Sequence, residues 1–280
     1  MKTIVTHIAP DTDALSSIWL IRRFLPGWRG ARVVFVPAGE TLEGKSPDEH
    51  LEIIHVDTGF GKFDHHQTND DTCAAKNVYA FLKEKKHIKP SLMHPLERML
   101  IVINDTDHFR DVFLPHPDAD IYTFLLDSLL DGLRAELADD HILSEKTDIL
   151  CDAILRSFVN KVHAEHEIEK GLVFETKWGK TIALLSENEE SARLAQKKGF
   201  ALTIRKTSKK GHLRIKLSPD SPGVYKDLSK LYEILKKKDL RATWFYHVSG
   251  CMILNGSSKN PRVTPTMLSL HEVVQIVQAL

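Results

Sequence analysis

The sequence predicts an α/β protein: a mostly parallel sheet with helices on both faces, a helical connector, and a second, smaller α/β domain. Three observations carry that expectation. Short β-branched runs alternate with stretches of helical spacing, the pattern of strand–helix–strand units in a parallel sheet. The chain has 280 residues, enough for two cores of ordinary size. Its two ends also differ in charge although the whole sums to +0. Residues 1–171 hold 19 Lys and Arg against 29 Asp and Glu, and the other 109 hold 19 against 9. Two solvated surfaces that merely differ would explain this. An acidic half that holds cations and a basic half that holds an anion would explain it too, and would suit a phosphorylated substrate.

Residues 2–6 are a β-branched run, the first strand. Pro10-Asp11 breaks it, and helical spacing over 14–25 ends at Pro26-Gly27. Residues 33–36 form a second strand, followed by a loop punctuated by Pro37, Gly39 and Gly44. Residues 52–56 (EIIHV) form a third, ending at Asp57-Thr58-Gly59, and Phe63 marks a further strand end. Helical spacing returns over 73–85 and 95–104. These elements assign 1–120 to a first domain and 121–171 to a helical connector closed by Gly171. The basic domain, 172–280, has strands near 172–174, 181–185, 200–205 and 213–217, and helices over 189–198, 224–237 and 269–280. Between the last two helices lie an aromatic segment, ATWFYHV, and a small-residue loop, Ser249 to Lys259. The run RKTSKK from Arg205 reads as a solvated hairpin tip.

Composition excludes several classes. Hydrophobic residues make up 42% and charged residues 27%, the profile of a soluble globular protein. No apolar run reaches the roughly 18 to 20 residues that a membrane span needs. The start, MKTIVTHIAPDTD, meets carboxylates too soon for a secretory signal. Cys73, Cys151 and Cys251 form no CxxC pair and no disulfide framework. A reduced, cytoplasmic protein is the expectation.

The chemistry gathers at the predicted strand ends. His7 closes the first strand, with Asp11 and Asp13 at the mouth of the next helix. Asp57 closes the EIIHV strand, and Asp64-His65-His66 follow Phe63. Asp105 sits in a fifth segment, Ile103-Asn104-Asp105-Thr106-Asp107. Taken singly these are ordinary: Asp11 reads as a helix cap, His7 as an interior imidazole, Asp105 as a turn residue. Together they share one rim, where parallel sheets place ligands. Burying that many carboxylates without cations costs several kcal/mol per charge. Asp11, Asp13, Asp57 and Asp105 carry a total charge that two divalent cations would neutralise. Oxygen and imidazole ligands without thiolate suit Mn²⁺ or Mg²⁺, with Co²⁺, Fe²⁺ or Zn²⁺ also compatible. Two such ions roughly 3.5 to 4 Å apart would activate water and polarise a phosphoryl oxygen.

These segments resemble the DHH phosphoesterase superfamily. T-H-I-A-P-D-T-D-A-L-S-S (Thr6 to Ser17) is similar to its first motif, V-D-T-G (Val56 to Gly59) to its second, F-D-H-H (Phe63 to His66) to its third and I-N-D-T (Ile103 to Thr106) to its fourth. The resemblance covers the first 107 residues. It implies one metal on His7, Asp11 and Asp57 and a second on Asp13, Asp57, His65 and Asp105, with Asp107 as the alternative to Asp105. It also implies His66 beside the phosphate and Asp64 orienting an imidazole, making Asp57, His66 and Asp64 the catalytic set. Members of the superfamily usually add a smaller C-terminal substrate domain. H-L-R-I-K-L-S (His212 to Ser218) resembles its phosphate-contacting strand, which singles out Arg214 and Lys216. The family's glycine-glycine-histidine loop is replaced here by S-G-C-M-I-L-N-G-S-S-K, where Asn255, Ser257 and Ser258 could still cradle an anion.

The resulting expectation is a Mn²⁺-dependent, two-metal phosphohydrolase acting on a short single-stranded oligonucleotide, a dinucleotide or another phosphorylated small molecule. Trp244, Phe245 and Tyr246 offer one base-stacking platform, which favours a short substrate over long nucleic acid. Pyrophosphate hydrolysis and a non-catalytic nucleotide sensor are the rival readings. No membrane partner is expected, and a homodimer is left open.

Overall fold

A computed structural model describes residues 1–219, 227–257, 260 and 262–280. The chain divides into two compact units, Met1–Val159 and Asn160–Leu280.

The first unit is built on a parallel three-stranded sheet in the order β2-β1-β3, from β1 (Thr3–His7), β2 (Arg32–Val36) and β3 (Ile53–His55). Val5 lies opposite both Val34 and His55. Because all three strands run the same way, His7 and the residues after His55 emerge at one edge. Helix α1 (Thr12–Phe24) begins where the Asp11 carboxylate accepts the Ala14 N–H at 3.0 Å. Every residue from Thr12 to Ile21 is buried. α1 is therefore a central helix, packed against α2 (Ala74–Glu84) and α3 (Pro90–Asp107).

Two details differ from the sequence reading. α3 starts at Pro90, where a missing N–H costs nothing; Pro95 lies inside the helix and gives up one backbone bond. Phe63 ends a turn rather than a strand. It is 3% exposed, packs edge-on against Phe81, and its carbonyl accepts the Asp57 N–H at 3.0 Å.

The stretch expected as a connector is helical: α4 (Leu126–Leu137) and α5 (Asp140–Glu169). Leu130, Leu143, Cys151 and Leu155 lie in the core of the first unit. Asp148 and Asp152 accept from Arg22 and Trp19 of α1 at 3.0 and 3.1 Å. The boundary between units falls within α5, whose Ala164 and Ile168 pack with Ile182 and Leu184.

The second unit has a six-stranded sheet in the order β4-β5-β6-β7-β9-β8. Its strands are β4 (Leu172–Thr176), β5 (Gly179–Leu185), β6 (Leu202–Lys206), β7 (Leu213–Leu217), β8 (Phe245–Tyr246) and β9 (Met252–Asn255). β5 and β6 are parallel and joined through α6 (Glu189–Lys197); the other neighbours are antiparallel. α7 (Ser229–Lys238) and α8 (Leu270–Gln278) supply Leu231, Leu235, Val273 and Val277 to a core with Leu213, Ile215 and Ile253. The expected loop from Ser249 contains β9, whose burial alternates with period two: Ile253 and Asn255 inward, Met252 and Leu254 half-buried. Arg205 and Lys206 belong to β6 and not to a solvated tip. The helix expected over 224–237 is α7, and residues 224–226 lie outside the described residues. No helix among the described residues is long and apolar enough to cross a membrane.

Leu143, 1% exposed, and Ile149, 67% exposed, share α5. Leu143→Ala is expected to destabilise the first unit by about 2–5 kcal/mol, and Ile149→Ala to change stability by less than about 0.5 kcal/mol. Urea unfolding of both variants checks this. Equal effects would show that this part of α5 is no part of the core.

Candidate metal centre

The two strand ends deliver the first contacts. His7 Nε2 lies 3.2 Å from Asp57 Oδ2, and His7 Nδ1 is 2.9 Å from the Ile8 carbonyl. That carbonyl accepts a hydrogen bond from Nδ1–H and leaves Nε2 as the nitrogen facing Asp57. Asp57 has a left-handed backbone, φ +53°, which a residue with a Cβ adopts only under constraint. Its N–H is held by the Phe63 carbonyl, and Gly59 follows at φ +79°. A Cβ on Gly59 would lie 2.7 Å from the Thr41 methyl, so the turn after Asp57 needs glycine.

The turn after Phe63 is organised by Asp64, 2% exposed. Its carboxylate accepts N–H bonds from Phe60 at 2.7 Å, His65 at 2.7 Å and His66 at 3.1 Å, and lies 2.7 Å from His66 Nδ1. With its lone pairs taken, Asp64 shapes the loop and aims His66. His65 Nε2 is then 3.4 Å from Asp57 Oδ1, 3.9 Å from Asp13 Oδ2 and 3.7 Å from Asp107 Oδ2. Asp13 is itself gripped by the N-terminus of α2: Ala74 and Ala75 donate to its two oxygens at 2.6 and 2.8 Å.

Among the described residues, three groups of ligand atoms could each hold a metal ion: His7–Asp11–Asp57, Asp57–His65–His66, and Asp13–His65–Asp107. Asp105 is in none of them. It points the other way, paired with Arg110 at 3.0 Å, and it is Asp107 that reaches His65. The reason is helical phase: two residues along α3 turn a side chain by about 200°. His108, which motif reading passed over, sits 3.3 Å from Asp107 and bonds the Asn104 carbonyl at 2.9 Å, holding the end of α3 beside the site.

The electrostatics follow from burial. Desolvation and the facing Asp57 and Asp107 charges push the buried Asp13 carboxyl well up. Burial and the nearby Asp57 charge raise Asp11. Burial alone would raise Asp57, but His65 and His7 on its two sides hold it down at about 2. The contact with Asp57 carries His65 up to about 9, against the effect of burial. Burial opposes protonation of His7 also, yet Asp57 and the Ile8 carbonyl raise it to about 9.

The second unit holds a different kind of site. Arg205 of β6 and Arg214 of β7 are cross-strand partners. Arg205 is 6% exposed; it donates to the Ser186 carbonyl at 3.0 Å, and Glu189 lies 3.7 and 3.6 Å from the two guanidiniums. The Nε atoms of both arginines are buried without a hydrogen-bond partner. Burial and the Arg214 charge lower the pKa of Arg205. They line a pocket with Lys210, His212 and Ser257, next to one lined by Trp244 and Phe245. Lys216 shares the face of Arg214 but does not line this pocket. Asn255 is not available to a ligand: fully buried, it donates to the Thr243 and Thr264 carbonyls and accepts from the Thr266 N–H. It pins a loop. Ser258 lies outside the described residues.

No family model matches the chain, and no curated protein matches it. Two solved structures resemble it along nearly its whole length at low identity. One is a pGpG-specific phosphodiesterase, PggH, from Vibrio cholerae: 15% identity over 98% of both chains, TM-score 0.36. The other is the DHH domain of a member of the s1p family of ribosomal proteins: 11% identity over 99% of this chain and 85% of that one, TM-score 0.28. Neither likeness is close enough to assign a role to a residue.

The raised imidazole values set a pH dependence. A histidine with a folded pKa of about 9 and an ordinary value of 6.5 contributes stability that is complete below pH 6.5 and is lost as pH rises through 9. Metal-free protein should therefore lose stability between pH 6.5 and 9. Over the same window Mn²⁺ affinity should rise, by up to about tenfold per pH unit for each proton displaced. Melting curves and Mn²⁺ titrations across this range check both signs; pH-independent affinity would remove the histidines from the ligand set.

Proposed function

We propose that the protein is a two-metal-dependent phosphohydrolase that cleaves a phosphodiester of a short oligonucleotide or dinucleotide. The observation that carries this reading is a pair of ligand groups meeting at Asp57: His7–Asp11–Asp57 on one side, and Asp13–His65–Asp107 reached across the 3.4 Å Asp57–His65 contact on the other. The donors fit divalent cations. Asp57 Oδ1 and His65 Nε2 are buried with no hydrogen-bond partner, and an oxygen–imidazole set without thiolate suits Mn²⁺, Mg²⁺, Co²⁺ or Fe²⁺. His7, Asp11 and Asp57 would hold one ion, and Asp13, Asp57, His65 and Asp107 the other. Bound there, the ions supply Lewis acidity toward a phosphoryl oxygen and lower the pKa of water.

The residues of the chain prepare that chemistry. Asp57 has an oxygen toward each group and serves both. His7 and His65 give up their protons, and the Ile8 carbonyl fixes the tautomer of His7. His66 is 56% exposed with Nδ1 held by Asp64, which leaves Nε2 to act: as the imidazolium it can give a hydrogen bond or a proton to a phosphate or a leaving oxygen. The Arg205–Arg214 pair supports a phosphorylated ligand, because the Nε atoms of two neighbouring guanidiniums lack an acceptor where both line one pocket, and a single Glu189 carboxylate faces the two charges. The adjoining Trp244–Phe245 pocket supports a base beside that phosphate, and hence a nucleotide.

With Mn²⁺, purified protein should release mononucleotide from dinucleotides or short oligomers. Asp57→Asn should reduce turnover to background and weaken metal binding. Arg205→Ala and Arg214→Ala should each raise KM about tenfold with a smaller effect on kcat. Steady-state kinetics over a panel of dinucleotides, oligomers, cyclic dinucleotides and pyrophosphate checks these outcomes. Turnover by Asp57→Asn at the normal rate would end the metal mechanism, and activity on pyrophosphate alone would end the phosphodiester reading.

A further inference from the structure

We infer that Asp140, the first residue of α5, is a positioning residue for His7, acting through a single peptide unit and assisted by Arg134 of α4. The inference rests on the metal reading above and concerns residues that lie beyond the four motifs.

The short link between β1 and α1 carries His7 at one end and Asp11 at the other. Its backbone groups can be accounted for almost completely. The Ile8 N–H bonds the Val36 carbonyl at 2.8 Å, continuing the sheet. The Ile8 carbonyl faces His7 Nδ1 at 2.9 Å. The Ala9 N–H donates to Asp140 Oδ2 at 2.9 Å, and the Pro10 carbonyl accepts from Arg134 Nη2 at 2.6 Å. Asp11 then caps α1.

The Ile8 carbonyl and the Ala9 N–H belong to one planar peptide unit and point to opposite sides of it. Asp140 therefore holds one side of the plane whose other side accepts the His7 ring. Rotation of that plane would withdraw the acceptor of Nδ1 and free the imidazole to change tautomer and direction. A carboxylate on the N–H also polarises the carbonyl opposite, strengthening its bond to the ring. Metal-binding histidines depend on the partner of their other nitrogen, and loss of that partner typically weakens metal binding by about 10- to 100-fold.

The plane is held against a cost. Ala9 has φ +53°, in the left-handed region that a residue with a Cβ avoids. Nothing in the sequence demands it, since glycine would adopt it freely. Asp140 and Arg134 bracket the strained residue, one bond on each side. Arg134 is itself fixed by Asp131 at 2.7 Å, so the clamp is anchored in α4.

The test compares Mn²⁺ affinity, measured by titration calorimetry, in wild-type protein, Asp140→Ala, Asp140→Asn and Asp140→Ala with Ala9→Gly. Asp140→Ala should bind Mn²⁺ about tenfold more weakly. Asp140→Asn keeps an acceptor for the Ala9 N–H and should stay within about threefold of wild type. The double variant should recover part of the loss, because glycine lowers the cost of the left-handed turn. Wild-type affinity in Asp140→Ala, an equal loss in Asp140→Asn, or no recovery in the double variant would each overturn the inference while leaving the metal reading intact. Should Asp140→Ala fail to fold, Asp140→Asn and the double variant decide the question. Absence of Mn²⁺ binding by the wild-type protein would overturn both.

Discussion

Repulsion among Asp11, Asp13, Asp57 and Asp107 is the constraint around which the first unit is organised. Asp13 and Asp57 are almost completely buried, and like charges that close together in a low-dielectric setting repel by several kcal/mol. The fold offsets this in three local ways. The N-terminus of α2 places two N–H groups on Asp13, a helix start already biased toward negative charge. His7 and His65 stand on either side of Asp57 and are drawn toward their charged forms. Asp64, the third buried carboxylate of the motifs beside Asp13 and Asp57, is removed from the problem by spending its lone pairs on the turn that carries it. The atoms left without a hydrogen bond are Asp57 Oδ1 and His65 Nε2, which face one another at 3.4 Å.

That accounting explains which parts of the site were legible in the sequence. Parallel strands deliver their C-terminal residues to one edge whatever the loops do, so His7 and Asp57 could be brought together from β-branched runs and chain punctuation alone. The adjacency of Asp64, His65 and His66 assigned them to one loop in the same way. The choice between Asp105 and Asp107 was different. It depends on the rotational phase of α3, and the expected start at Pro95 was five residues late. A strand or loop reading keeps both side chains in play, whereas a helix sends them to opposite sides.

In the second unit the difficulty was burial. RKTSKK reads as a polar tip because four of its six residues are cationic, yet Arg205 at its start is the last buried residue of β6. The pairing that gives it meaning is to Arg214, nine residues on, and only the antiparallel register of β6 and β7 reveals it. Asn255 erred in the opposite direction. A small polar residue in a run of Gly and Ser suggests an anion-binding loop, but the same amide can satisfy three backbone groups at once, and here it does. Sequence gives the donors and acceptors of a side chain; only the fold tells whether they are already spent.

The two units thus hold opposite versions of one electrostatic situation. The first gathers carboxylates with fewer compensating charges than they need, and its two histidines fill the gap only by holding protons. The second pairs two guanidiniums across a strand boundary, tempers them with Glu189, and still leaves both Nε atoms without an acceptor. Neither arrangement is one that stability alone would favour, since apolar replacements of buried charges are often neutral or stabilising. Each would be relieved by a ligand of opposite sign: a cation that displaces the imidazole protons, and an anion that accepts from the guanidiniums. The proposed phosphate ester substrate would give each charge cluster a use, divalent metal for the carboxylates and a phosphate oxygen for the guanidiniums.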